Sequence, residues 1–112
     1  MADCLFCKVI DGSIPAKIVT QNDKLVAFRD INPQAPTHIL IIPKEHIESV
    51  KDLKPEQAPI MADIALMAKE IAKQEGLEDF RCVFNIGASA GQSVFHLHMH
   101  LLGGRPFSWP PG

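Results

Sequence analysis

The chain has 112 residues, 46% of them apolar, with a formal net charge of −2. That length suits a single domain spanning 1–112 with one core, and the apolar share excludes a disordered chain. Near-neutral charge without a basic run argues against a nucleic-acid or anionic-membrane surface, so neither nucleic acid nor membrane is an expected partner.

No apolar stretch approaches the roughly 20 residues that cross a bilayer. The N-terminus also lacks a basic region followed by an apolar run, so the expected location is the cytoplasm. Three cysteines, two of them as Cys4-x-x-Cys7, are too few and too unevenly placed for a disulfide framework.

In chain order, Cys4 to Ile10 reads as a short helical turn closed by Asp11-Gly12. Lys17-Ile18-Val19-Thr20 is extended, Asn22-Asp23 is a tight turn, and Leu25-Val26-Ala27-Phe28 returns as the second strand of a hairpin. Asn32-Pro33 and Ala35-Pro36 stiffen a loop. His38-Ile39-Leu40-Ile41-Ile42 has the unbroken apolar pattern of a strand buried on both faces.

Ile60, Ile64, Met67 and Ile71 recur at helical spacing, with Gly76 as the stop. Pro55 suits a first helical turn, but Pro59 would then remove an internal backbone bond, which leaves the start open by about a turn. Arg81-Cys82-Val83-Phe84-Asn85 is a further strand, with Cys82 expected as an inert core residue. The sum is an α+β domain: a mainly antiparallel sheet of about five strands, one long helix and one short one. In the irregular tail, Trp109 between prolines is expected to pack against a surface.

The chemistry concentrates in Phe95-His96-Leu97-His98-Met99-His100-Leu101-Leu102. A strand sends alternate side chains to opposite faces, so His96, His98 and His100 share one face while Phe95, Leu97, Met99 and Leu101 enter a core. Three imidazoles on one face need polar partners, which makes that face a working surface. Ahead of it, Gly91 permits close backbone approach, and Gln92 and Ser93 bring hydrogen-bonding groups to its mouth. Exposed amide N–H groups beside imidazoles suit an anion. Phosphate fits, because imidazole can attack phosphorus and split one displacement into two. Histidines at i and i+2 can also chelate Zn²⁺ as a hydrolytic centre. Spacing leaves both readings open; the lack of an acidic residue in the strand and its flanking loops leans toward the nucleophile.

His96-Leu97-His98-Met99-His100-Leu101-Leu102 resembles the histidine-triad (HIT) motif, three histidines alternating with apolar residues. Ile14-Pro15-Ala16-Lys17, the run Phe28 to His38, Gly91-Gln92-Ser93 and Trp109-Pro110-Pro111-Gly112 are similar to the Hint branch of histidine-triad nucleotide-binding proteins. The resemblance implies a HIT-like fold and a hydrolase of purine nucleoside 5′-phosphoramidates, of the adenosine 5′-monophosphoramidase type. His98 would be the nucleophile of a nucleotidyl-histidine intermediate, its other ring nitrogen donating to the His96 carbonyl. His100, Ser93, the Asn85 amide and the backbone N–H groups of Gly91, Gln92 and Ser93 would hold phosphate oxygens, with His38 supporting proton movement. Asp30 would accept from the ribose hydroxyls, and Phe6, Val9, Phe28 and Ile31 would wall the base.

The resemblance also implies a homodimer with purine nucleoside monophosphates and phosphoramidates as ligands. A nucleotide-binding regulatory module with incidental catalysis is the alternative from another class. A dinucleoside polyphosphate hydrolase is a third, which the Hint-like tail opposes. Beyond the triad, Cys4-x-x-Cys7 can chelate one metal through two thiolates. With His46 and His96 it makes a Cys₂His₂ set, the composition of a closed structural Zn²⁺ site, one per chain; some histidine-triad relatives resemble this arrangement.

Overall fold

In the computed structural model, which describes residues 3–112, Cys4 caps helix α1 (Leu5–Ile10), its Sγ accepting the Cys7 N–H at 3.4 Å. Met1 and Ala2 of the expected domain lie outside the described residues. Helix α1 turns Phe6 and Val9 inward and ends at Asp11, after which Gly12 takes φ +82°. Strands β1 (Ile18–Gln21) and β2 (Leu25–Arg29) form the hairpin. Asn22 Oδ1 shapes its turn by accepting from the N–H groups of Lys24 and Leu25 at 2.9 and 2.8 Å. Strand β3 (Thr37–Pro43) is buried at every position, as its unbroken apolar run predicts.

The two prolines divide the start of the long helix between them. Pro55 opens a separate 3₁₀ turn, Pro55–Gln57, and helix α2 (Ala58–Gln74) begins after it. Pro59 therefore falls in the first turn of α2, where its missing N–H has no intrahelical partner to lose. Ile64, Ala68, Ile71 and Ala72 form the buried stripe, with Ile60 and Met67 packed at its margin.

Strands β4 (Phe80–Val83) and β5 (Met99–Gly103) complete the sheet in the order β1-β2-β3-β5-β4, antiparallel throughout. Because β5 inserts between β3 and β4, the 84–98 segment crosses over to bring the last strand inside the sheet.

Period-two alternation then assigns each strand residue a face. Leu25, Ala27, Ile39, Ile41, Met99 and Leu101 meet Ile64, Ala68 and Ile71 of α2 in the larger core. Val26, Phe28, Leu40 and Ile42 meet Phe6 and Val9 of α1 in the smaller one. Leu40 pairs with His100 across β3 and β5, so His38 and His100 lie on this second face. The long helix fixes the sheet from behind, and the short helix leaves room in front for a site.

Four expectations are corrected. Regular pairing begins only at Met99, so His96 and His98 lie in the irregular segment before β5, and Phe95 is half-exposed rather than core. Cys82 is exposed on strand β4, at the edge of the sheet, so it is not a core residue. Strand β4 stops at Val83, leaving Asn85 beyond it. In the tail it is Phe107 that packs, between the guanidinium groups of Arg81 and Arg105 at 5.0 and 4.3 Å, while Trp109 stays 83% exposed within the chain.

Candidate functional site

A cavity of about 290 Å³ opens between α1, β2 and the histidine segment. Phe6, Val9, Phe28, Asp30, Ile31, Ser93, His98 and His100 line it, together with Leu5, Ile14, Pro15, Ala16, Arg29, Leu40 and Val94. Ile31 stands at the rim, 99% exposed. Arg29 contributes no free cation, because Glu75 takes its guanidinium through two bonds of 2.9 and 3.1 Å. A second cleft of about 590 Å³ lies across Asp30 and Ile31 and adds Lys17, Pro33, Pro36 and His38.

The hydrogen bonds fix how each imidazole is presented. His98 Nδ1–H donates to the His96 carbonyl at 2.7 Å, which leaves Nε2 with its lone pair. His96 Nε2–H donates to the Pro43 carbonyl at 2.7 Å, leaving Nδ1 as its lone-pair nitrogen. The Gln34 N–H donates to His38 Nδ1 at 3.0 Å, and His38 Nε2–H donates to His100 Nδ1 at 2.9 Å. All four rings favour the neutral form. Burial pushes His38, His96 and His98 down, and burial reinforced by His98 and His38 pushes His100 to about 4. A neutral imidazole with a free Nε2 can act as a nucleophile, which a protonated one cannot.

The glycine-rich loop serves a different purpose from the one its composition suggests. Gln92 is buried: its Oε1 accepts the Gly87 N–H at 2.9 Å, and its Nε2 donates to the carbonyls of Glu48 and Val94 at 2.7 and 3.1 Å. The Gly91 and Gln92 amides bond to Ala88 and Gly87 carbonyls at 3.0 and 3.1 Å, closing the turn on itself. Gln92 therefore builds the loop rather than meeting a ligand, and Ser93 is the loop residue that reaches the cavity beside Val94. Asn85 stands behind the loop, its Nδ2 3.6 Å from where a Cβ on Gly91 would lie. Gly91, at φ +99°, is in the left-handed region that side chains disfavour.

Cys4 Sγ, Cys7 Sγ, His46 Nδ1 and His96 Nδ1 converge on the other side of His96, all within 4.8 Å of one another. Cys4 and Cys7 lie 3.4 and 3.6 Å from His96 Nδ1, Cys7 lies 3.3 Å from His46 Nδ1, and the two Nδ1 atoms are 3.2 Å apart. A tetrahedral ion with bonds of about 2.3 Å to sulfur and 2.0–2.1 Å to nitrogen would space nitrogens about 3.3 Å apart and sulfur from nitrogen about 3.5 Å. The edges fit. Burial and the Cys4 sulfur push the Cys7 thiol up, so a cation would have to displace its proton. The three motif histidines do not gather round one ion: His96 Nδ1 turns to the cysteines while His98 and His100 line the cavity, which removes the three-histidine metal centre.

Alternating histidines feeding an interior strand of a five-stranded antiparallel sheet, with two of the rings facing a small-ligand cavity, define the histidine-triad class of fold and site. Residues 3–107 match the family model described as "Scavenger mRNA decapping enzyme C-term binding". An uncharacterized HIT-like protein of Synechocystis is 51% identical over 98% of this chain and 97% of its own length. The 14 kDa zinc-binding protein of Zea mays is 50% identical over 96% and 87%. The crystal structure of a HIT family hydrolase from Legionella pneumophila superposes with a TM-score of 0.95 at 50% identity, covering 98% of this chain and all of that one. The chain belongs to the HIT-like family, and it is hydrolase-like.

The cavity also has walls beyond the expected site residues. Leu40 is signalled by its two-residue spacing to His38 on one strand, whereas Ile14, Pro15 and Ala16 carry no local chemical signal.

Proposed function

We propose that the chain hydrolyses the P–N bond of purine nucleoside 5′-phosphoramidates through a nucleotidyl-His98 intermediate. The observation that carries this reading is the 2.7 Å bond from His98 Nδ1–H to the His96 carbonyl, which leaves a neutral Nε2 for phosphorus at the cavity. The lone pair of Nε2 forms the N–P bond as the P–N bond to the amine breaks, and the departing amine takes up a proton from solvent water. Water then attacks phosphorus, the Nε2–P bond breaks, and the nucleoside monophosphate leaves with His98 restored.

His100 and Ser93 face the phosphate oxygens, Asp30 accepts from the ribose diol, and Phe6, Val9, Phe28 and Ile31 enclose the base. The cavity, about 290 Å³, sits at the low end of small-ligand sites, which run about 300–1,000 Å³. The Cys4, Cys7, His46 and His96 set holds one structural Zn²⁺ per chain, a reading supported by the tetrahedral edges and by the zinc-binding relative from maize. Zn²⁺ there would fix the Cys4 turn against His96 and take no part in the chemistry. We infer a cytoplasmic homodimer, consistent with the exposed Trp109 and with no helix among the described residues being long and apolar enough to cross a membrane. Rapid quenching with an adenosine 5′-phosphoramidate followed by mass spectrometry tests the chemistry. An adenylyl adduct on His98 is expected; turnover with no adduct, or an adduct elsewhere, refutes it.

A further inference from the structure

His38 and His100 form a pair in which every ring nitrogen but one is already engaged inside the protein. His38 Nδ1 accepts the Gln34 N–H at 3.0 Å, and a backbone amide can only donate. A neutral His38 therefore carries its proton on Nε2, which lies 2.9 Å from His100 Nδ1. His100 Nδ1 must then accept, and its own proton must sit on Nε2, the one nitrogen of the pair left for the cavity. The Gln34 peptide is itself anchored: its carbonyl accepts from Arg105 Nε at 3.0 Å, and its side chain donates to the Asn32 carbonyl at 3.0 Å.

We propose, building on the phosphoramidase reading, that the Gln34 amide locks His38 and His100 into one tautomer pair with no nitrogen free for an extra proton. His100 then meets the phosphate as a neutral hydrogen-bond donor and is not the acid that protonates the leaving amine. Adding a proton to the pair would break either the Gln34 bond or the His38–His100 bond, both out of contact with bulk water at the buried His38. The charged and titratable groups near the pair pull in two directions. Asp30, 3.5 Å from His38 Nε2, favours a proton, while His98 and the cation of Lys17 across the cleft do not; Arg29 is neutralised by Glu75. Burial of both rings decides for neutrality.

The same lock argues against a cation among Asp30, His38 and His100, although their ligand atoms come within 4.8 Å of one another. An ion on His38 Nε2 would strip that nitrogen of its proton while Nδ1 still accepts from Gln34, leaving an imidazolate.

Long-range ¹H–¹⁵N correlation of the ¹⁵N-labelled protein, as purified, reads these protons directly. His38 and His100 are each expected to show a protonated Nε2 and a bare Nδ1, unchanged between pH 7.5 and about 5.5, a window that spans the ordinary histidine value of about 6.5. A proton on His100 Nδ1, or two protons on His100 above pH 6, overturns the proposal. In His38→Phe the donor to His100 Nδ1 is gone, so His100 should lose its tautomer preference and take up a second proton at least about tenfold more readily than in the wild type. An unchanged His100 titration in that variant also overturns it. These spectra need no turnover. An absent His98 adduct with the expected tautomers refutes the phosphoramidase reading alone, and the reverse result refutes the lock alone.

Discussion

Replacing Gln92 tests whether the glycine-rich loop is built from inside. The side chain is 4% exposed and makes three bonds, to Gly87 N–H at 2.9 Å and to the Glu48 and Val94 carbonyls at 2.7 and 3.1 Å. Gln92→Ala leaves one donor and two acceptors unpaired. At about 0.5–1.5 kcal/mol per net bond, with water able to enter part of the space, the expected loss is about 2–4 kcal/mol. Gln92→Glu has nearly the same shape and separates volume from polarity. It still accepts from Gly87, but it has no N–H for the two carbonyls, so its carboxyl must be protonated to fit. Its folded pKa is thereby raised above the unfolded value of about 4.3. Whatever stability it keeps is fully present below that value and is lost as pH rises through the folded pKa. Urea unfolding of both variants against wild type at pH 5 and pH 8 reads this out. The Gln92→Ala deficit should be the same at both pH values, and the Gln92→Glu deficit should grow toward pH 8. A Gln92→Ala loss below about 0.5 kcal/mol, typical of a surface change, would refute the structural role; so would a Gln92→Glu deficit independent of pH.

His98→Ala should lower turnover of an adenosine phosphoramidate by about 10³-fold or more while leaving adenosine monophosphate binding measurable by calorimetry, since the cavity walls remain. His100→Ala removes one phosphate donor and should cost about 10²–10³ in rate without abolishing the His98 adduct. Cys7→Ala should release the bound metal, measured by elemental analysis, and lower the melting temperature by more than about 5 °C. Deleting residues 109–112 removes a Trp that is 83% exposed within the chain, so stability should change by less than about 0.5 kcal/mol. Selectivity among leaving amines should shift in that truncation, and a competition assay with unchanged selectivity would count against a role for the tail.

Most of the sheet is readable from local rules because its strands carry local signals. The hairpin shows a turn residue whose side chain bonds the backbone two and three residues on, and β3 shows an apolar run too short for a buried helix. What those rules cannot give is strand order. Nothing near Met99 states that β5 lies between β3 and β4, because that placement depends on a crossover of the whole 84–98 segment. Cys82 illustrates the cost: an apolar strand reads as interior, but β4 is an edge strand, and its thiol is exposed. Gln92 illustrates another. In composition a Gly-Gln-Ser loop looks ligand-facing, while the carbonyl that takes the Gln92 amide belongs to Glu48, 44 residues away.

The histidine run shows how a correct pattern can still hide the division of labour. Alternation places the imidazoles, yet their chemistry is set by which carbonyl or amide each ring meets, and those partners come from Pro43, Gln34 and the run itself. His96 gains most from this. Its ring donates to Pro43 and turns Nδ1 toward Cys4, Cys7 and His46, while its own carbonyl receives the His98 proton. One residue thus belongs to the metal set by its side chain and holds the His98 ring by its backbone carbonyl. Anything that rotates the peptide at His96 moves the acceptor that fixes the His98 tautomer, so the Cys₂His₂ cluster and the cavity are joined through that one residue although they lie on opposite sides of it.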